Sequence, residues 1–269
     1  MITYSATLDV PAGTATLLTD LLVAERLRRG TGVGARAASA RAQAILALRW
    51  FRQDADLKVL AADTRISLAT GYRYLHEGID VLAHRAPDLH QVLEAGRAAG
   101  WSHVVLDGTL VRTDRCRVRN PESGHDLWYS GKHRAHGGNV QVVCDPAGFP
   151  VAVSDVQPGS IHDLAAARTT GFLGALHAAA ALLGLPALAD KGYDGAGIGI
   201  HTPAKGGNLA PSTACRNRLL TRLRAEGERG IALLKTRWKA LRRIRLCPQR
   251  LGAIVAAALV LTTAERPIR

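Results

Sequence analysis

Three acidic residues sit where a chain could gather carboxylates. Asp107 closes the apolar run Val104-Val105-Leu106, Asp190 follows Ala187-Leu188-Ala189, and Glu228 lies in a helical stretch. A short apolar run that ends in an acid is the pattern of a buried strand delivering a carboxylate at its C-terminal end. Carboxylates gathered on a dry sheet edge repel one another and raise one another's pKa values unless a cation neutralises them. Hard oxygen donors suit Mg²⁺, with Mn²⁺ as substitute, rather than zinc. Two such ions about 3.5–4 Å apart activate an attacking hydroxyl and stabilise a leaving oxygen in an in-line phosphoryl displacement. Taken singly, an Asp at a strand end is commonly a turn former or a helix cap.

The surroundings of Glu228 add to the pattern. Arg224, Glu228 and Lys235 recur at helical spacing, so at 100° per residue all three share one face. An acid between two cations suits a metal ligand beside phosphates, and a solvated face with an Arg224–Glu228 ion pair is the plainer alternative. Asp163, after Pro158-Gly159-Ser160-Ile161-His162, begins a helix, where an acid is stabilised by free N–H groups whatever the chemistry. It ranks below Asp190 as a metal ligand, although it could bind a metal through water. His162 reads as a packing or hydrogen-bonding residue, since no second histidine stands at ligand spacing. Lys132, His133, Arg134 and His136 follow Tyr129 and Ser130, and Lys132 and Arg134 are the expected phosphate contacts there.

These residues need a scaffold, and the 269-residue length allows a well-buried one. Lys and Arg number 35 against 22 Asp and Glu, and the net charge of +13 makes nucleic acid the leading partner. Cys116, Cys144, Cys215 and Cys247 form no CxxC pair, which argues against a zinc knuckle or a disulfide framework. The first residues lack the features of a signal peptide. The apolar run over residues 251–261 is about half of the roughly 20 residues that a membrane helix requires. The expected location is therefore cytoplasmic and nucleoid-associated, with no membrane partner.

Residues 1–98 read as helical, with helices over 14–29, broken at 30–34, and over 37–52. A short helix over 57–63, a turn at 64–66 and a second helix capped by Ser67 form a helix-turn-helix pattern near residues 57–78. Thr70 and Arg73 would read base edges from the start of its second helix, with Tyr72 or His76 on the backbone. Gly71 weakens that helix by about 1 kcal/mol relative to Ala. From residue 99 onward the pattern becomes α/β. Strands are expected over 104–107, 139–144, 150–156 and 187–190, a helix over 164–183, and helices over 217–243 and 248–264, giving a mixed sheet flanked by helices.

The segments LDGTLVRT from Leu106, YSGKHRAHGGNVQVVCDPAGFPVAVSDVQPGSIHD from Tyr129, LADKGYDG from Leu188, HTPAKGG from His201 and the Arg224-Glu228-Lys235 helix occur in one order along half the chain. In this the chain resembles bacterial insertion-sequence transposases of the DDE superfamily, in the group numbered five, whose eukaryotic relatives are the Harbinger elements. The resemblance implies a ribonuclease-H-like catalytic domain over residues 99–269 and a triad on Asp107, Asp190 and Glu228. It also implies Arg224 and Lys235 as basic partners of the glutamate. The interval from residue 190 to 228 is 38 residues, in keeping with such families. Thr221 departs from the pattern, where a Tyr often stands. The expected function is Mg²⁺-dependent hydrolysis and strand transfer on double-stranded DNA at terminal inverted repeats, by a dimer on DNA. A DNA-binding relative without catalysis and a helix-turn-helix transcription regulator are the alternatives.

Overall fold

The computed structural model describes residues 7–32, 34–121 and 124–266. Residues 1–6 and Val33, on which the leader reading and part of the expected 30–34 break rest, lie outside the described residues. The first third forms α1 (Ala12–Arg28), α2 (Ala40–Gln53), α3 (Leu57–Asp63), α4 (Leu68–Ala83) and α5 (Leu89–Ala98). Short polar side chains start four of them. Ser39, Asp56, Ser67 and Asp88 accept hydrogen bonds from the Ala42, Lys58, Thr70 and Gln91 amides. Each such cap stabilises its helix by about 1 kcal/mol. Between α3 and α4 the chain turns through Arg65, which adopts a left-handed conformation at φ 55°. Gly71 has a packing reason for being glycine, because a Cβ there would come within 3.2 Å of Ala61 Cβ on α3.

The remainder builds a sheet from β1 (Val104–Arg112), β2 (Tyr129–Ser130), β3 (Ala135–Cys144), β4 (Pro150–Val153), β5 (Gln157–Pro158), β6 (Ala187–Leu188) and β7 (Ile200–His201). The main path runs β2-β3-β1-β6-β7, with β4 and β5 also paired to β3. The β1 and β3 strands are antiparallel, whereas β6 is parallel to both β1 and β7. Helices α6 (Asp163–Thr169), α7 (Phe172–Leu183), α8 (Pro211–Arg237) and α9 (Leu251–Ala264) complete the chain. This is the mixed sheet flanked by helices that a ribonuclease-H-like fold requires, preceded by a helical region.

Several boundaries differ from the sequence expectation. Asp107 lies within β1 rather than at its end, because Gly108 to Arg112 continue in register with Gln141 to Gly137 of β3. The helix expected over 164–183 is two helices, parted at Gly171 with φ 76°. The α8 helix ends at Arg237, and a 3-10 turn over Lys239–Arg242 follows it.

Apolar packing joins the helical third to the sheet. Leu18, Leu48, Phe51, Leu75 and Ile79 share one core cluster with Val105, Val142, Trp238 and the buried face of α9. On the other sheet face, Leu89 and Leu93 of α5 pack with Val104, Leu106 and the apolar side of α7. The helix α5 thus supports β1 from a position just before it in sequence. No described helix is long and apolar enough to cross a membrane, and all four cysteines are free.

Candidate active site

Side chains alternate across a strand, so the neighbours of β1 fix where Asp107 points. A Cβ on Gly227 of α8 would lie 2.4 Å from Val105 Cγ1, which places Val105, and with it Asp107 and Thr109, on the face toward α8. The parallel pairing Val105↔Leu188 brings Asp190 beside Asp107, since each stands two residues further along its strand direction. Asp190 caps the 3-10 turn Lys191–Tyr193, its Oδ1 accepting the Gly192 N–H at 2.8 Å. Burial pushes the Asp107 carboxyl up from 3.8 to about 6. Arg224 opposes that rise, Asp190 adds to it, the Gly108 N–H opposes it and Asp163 adds to it. Burial and the neighbouring acids thus disfavour the charged form of Asp107, and Arg224 offsets only part of that cost.

Glycines bring α8 onto the sheet. Besides Gly227, Gly230 has no room for a Cβ, which would meet Cys144 Sγ at 2.5 Å and Gly148 O at 2.7 Å. By the 100° helical step, the flank carrying Arg224, Glu228 and Lys235 is turned away from β3. Lys235 Nζ donates to Thr109 Oγ1 at 2.6 Å and to Leu110 O at 3.1 Å, tying α8 to β1 two residues from Asp107. Burial lowers the Lys235 pKa, Arg112 lowers it further and Asp107 raises it. Arg224 is half-buried, and its Nε has no hydrogen-bond partner. Glu228 is exposed, and among the described residues no ion pair joins it to Arg224.

Asp163 lies on the opposite face of β1. A Cβ on Gly108 would come within 2.4 Å of its Oδ1 and 3.0 Å of the Tyr193 hydroxyl. Its carboxylate accepts from Lys132 Nζ at 3.0 Å and from Asn139 Nδ2 at 2.8 Å. That hydrogen bond to Asp163 is the main cause of a raised Lys132 pKa. Lys132 and Arg134 are exposed on the turn between β2 and β3, Arg134 at φ 49°. His162 is exposed at the N-cap of α6 and makes no capping bond. With Tyr129, Ser130, His133 and His136, the residues Lys132, His162 and Asp163 line a cleft of about 610 Å³.

A model of the DDE superfamily endonucleases matches residues 106–263, more than half of the chain. The chain belongs to the DDE superfamily endonucleases. A comparison with curated proteins finds no match. Family membership brings a nuclease- or transposase-type activity with DNA as substrate, and DDE endonuclease domains generally use divalent metal ions.

The donor set fits such an ion in chemistry, because Asp107 and Asp190 offer hard oxygen ligands side by side, and burial together with the neighbouring Asp190 raises the Asp107 pKa, which a bound cation would oppose. Among the described residues, no three His, Cys, Asp or Glu side chains stand close enough together to enclose one.

The matched region begins after the helical third of this DDE endonuclease chain, which presents a different surface. Leu68, Ala69, Tyr72 and Arg73 are exposed at the start of α4. Thr70 is half-buried, its Oγ1 accepting from Ser67 Oγ at 3.0 Å and from Arg73 Nη2 at 2.9 Å. Sequence reasoning missed Tyr193, Gln141 and Asn139, which lie beneath the acids. The signal was present as two amide side chains alternating with valines in the run Asn139-Val140-Gln141-Val142.

Proposed function

We propose that this DDE endonuclease is the transposase of a bacterial insertion sequence, in the group-five and Harbinger-like branch. It binds its element's terminal inverted repeats, hydrolyses the phosphodiester at the element end and joins the new 3′-hydroxyl to target DNA. The observation that carries the reading is the parallel pairing of β1 with β6, which sets Asp107 of β1 level with Asp190, two residues past the end of β6, while Lys235 ties the helix that bears Glu228 to β1.

Asp107, Asp190 and Glu228 are the proposed catalytic and metal-holding residues, with Asp163 as a further ligand through water. Bound Mg²⁺ or Mn²⁺ would supply activation of the attacking hydroxyl and stabilisation of the leaving oxygen. Arg224, whose Nε lacks a partner, offers its guanidinium to a phosphate beside Asp107. Lys235 is the other basic partner on that face, and its bonds to Thr109 and Leu110 keep β1 seated against α8. Lys132 and Arg134, exposed on their turn, neutralise backbone phosphates. Thr70 and Arg73 of α4 read the repeat, with Ser67 fixing the start of that helix. Two ends must be held together for transposition, which suits a dimer on DNA in the bacterial cytoplasm at the nucleoid.

The exposed position of Glu228 favours a second reading, in which the chain binds DNA without cutting it. Incubation with DNA carrying the gene's own flanking sequence and Mn²⁺ separates the two. The nuclease reading requires cleavage by the wild-type protein and its loss in Asp107→Ala, Asp190→Ala and Glu228→Ala, with DNA binding retained. A shifted but uncut DNA establishes the second reading, and cleavage lost in Asp163→Ala but kept in Asp190→Ala reassigns the second acid.

A further inference from the structure

Beneath the proposed acids runs a buried chain of hydrogen bonds with a single direction. The Tyr193 hydroxyl donates to Gln141 Oε1 at 2.5 Å. Gln141 Nε2 donates to Asn139 Oδ1 at 2.9 Å. Asn139 Nδ2 donates to Asp163 Oδ1 at 2.8 Å and to Ile161 O at 3.0 Å. Lys132 Nζ meets the other carboxylate oxygen. Tyr193 and Gln141 are fully buried, and Asn139 nearly so. Every donor points toward Asp163, so each bond polarises the next in a medium from which water is excluded.

The chain joins elements distant in sequence. Tyr193 ends the 3-10 turn that Asp190 caps, and Asp163 begins α6. Between them, Gln141 and Asn139 stand opposite Gly108 and Leu110 in the β1–β3 register. The path therefore crosses β1 directly over Gly108, where only a residue without a Cβ leaves room for Asp163 and Tyr193 together.

We propose that Tyr193, Gln141 and Asn139 are positioning residues, a relay that holds the Asp190 turn and the Asp163 helix start in one frame about Asp107. Its use in DNA cleavage rests on the proposed nuclease reading, whereas the frame itself is a property of the fold. None of the three touches the reacting atoms. They act through the two acids.

Amide hydrogen exchange on the full chain without metal tests the frame independently of activity. Tyr193→Phe removes one hydroxyl, and the relay predicts about tenfold faster exchange at the Ala166 and Ala167 amides of α6, the scale of one lost hydrogen bond. Asn139→Ala works from the other end and predicts a similar rise at Gly192 and Tyr193. In the double variant the rises do not multiply, because both substitutions cut the same chain. Changes confined to the substituted residue's own segment, or rises that multiply, overturn the relay. If one variant does not fold, the other carries the same test alone.

For cleavage, the relay predicts a fall in kcat with an unchanged KM for DNA in Tyr193→Phe. A rise in KM at constant kcat contradicts it. Failure of the wild-type protein to cleave at all removes the nuclease reading and leaves the exchange result standing.

Discussion

Asp107 and Asp190 stand side by side, each two residues beyond the paired Val105 and Leu188 on neighbouring parallel strands. Burial of Asp107, with Asp190 beside it, gives the protein a pH-dependent stability that metal should modify. In the folded chain the Asp107 pKa rises from 3.8 to about 6, chiefly through burial and then, against the pull of Arg224, through Asp190. The folded state therefore holds this proton more tightly than the unfolded chain. The resulting stabilisation is complete below 3.8 and is lost as the pH rises through about 6. Urea unfolding of the metal-free protein across that window is expected to show a decline that Asp107→Asn flattens. Added Mn²⁺ is expected to raise the wild-type midpoint more above pH 6 than below it, because a cation competes with the proton. Parallel pH profiles for the two proteins contradict the shift.

Two helical glycines make opposite predictions for one substitution. Gly227→Ala gains about 1 kcal/mol of helix propensity, but its Cβ would lie 2.4 Å from Val105 Cγ1 on a strand that cannot easily retreat. Overpacking of this kind costs about 1–3 kcal/mol, so the variant is expected to be less stable. Gly174→Ala in α7 meets nothing within 4 Å and is expected to be more stable, by up to about 1 kcal/mol. Denaturant midpoints check both, and a stabilised Gly227→Ala would show that α8 does not press on β1.

Trp238 couples the helical third to the sheet. It is fully buried, edge-on to Phe51 of α2 at 6.2 Å, and its Nε1 donates to Thr262 Oγ1 of α9 at 2.8 Å. The Arg52 guanidinium lies 5.0 Å above its ring. Trp238→Ala is expected to lose about 3–5 kcal/mol of stability. Because one core spans both regions, the wild-type protein should unfold in a single calorimetric transition. Two separated transitions would show that the helical region folds as its own unit.

Some of this was legible in the sequence for physical reasons. The helix over 57–63 and the Ser67 cap are local features, written in side chains that bond to their own backbone. The strand before Asp107 was legible as an apolar run, but its extension through Gly108 and Thr109 was not, because pairing with β3 supplies the order that local propensity lacks. The split at Gly171 hid within an alanine-rich stretch whose propensity favours one continuous helix. Asp107, Asp190 and Glu228 could be proposed from residue type and spacing. The chain from Tyr193 to Asp163 could not, since Tyr193 and Gln141 stand 52 residues apart and meet only after the sheet has formed.

On the proposed nuclease reading, Asp107 and Asp190 hold a divalent cation between them. Anomalous diffraction from crystals of the full chain grown with Mn²⁺ and DNA decides whether they do. The expected result is a Mn²⁺ peak within reach of both the Asp107 and Asp190 carboxylates on the α8 side of the sheet, with Glu228 drawn toward it. A peak on Asp163 alone, across β1 from Asp107, would contradict it.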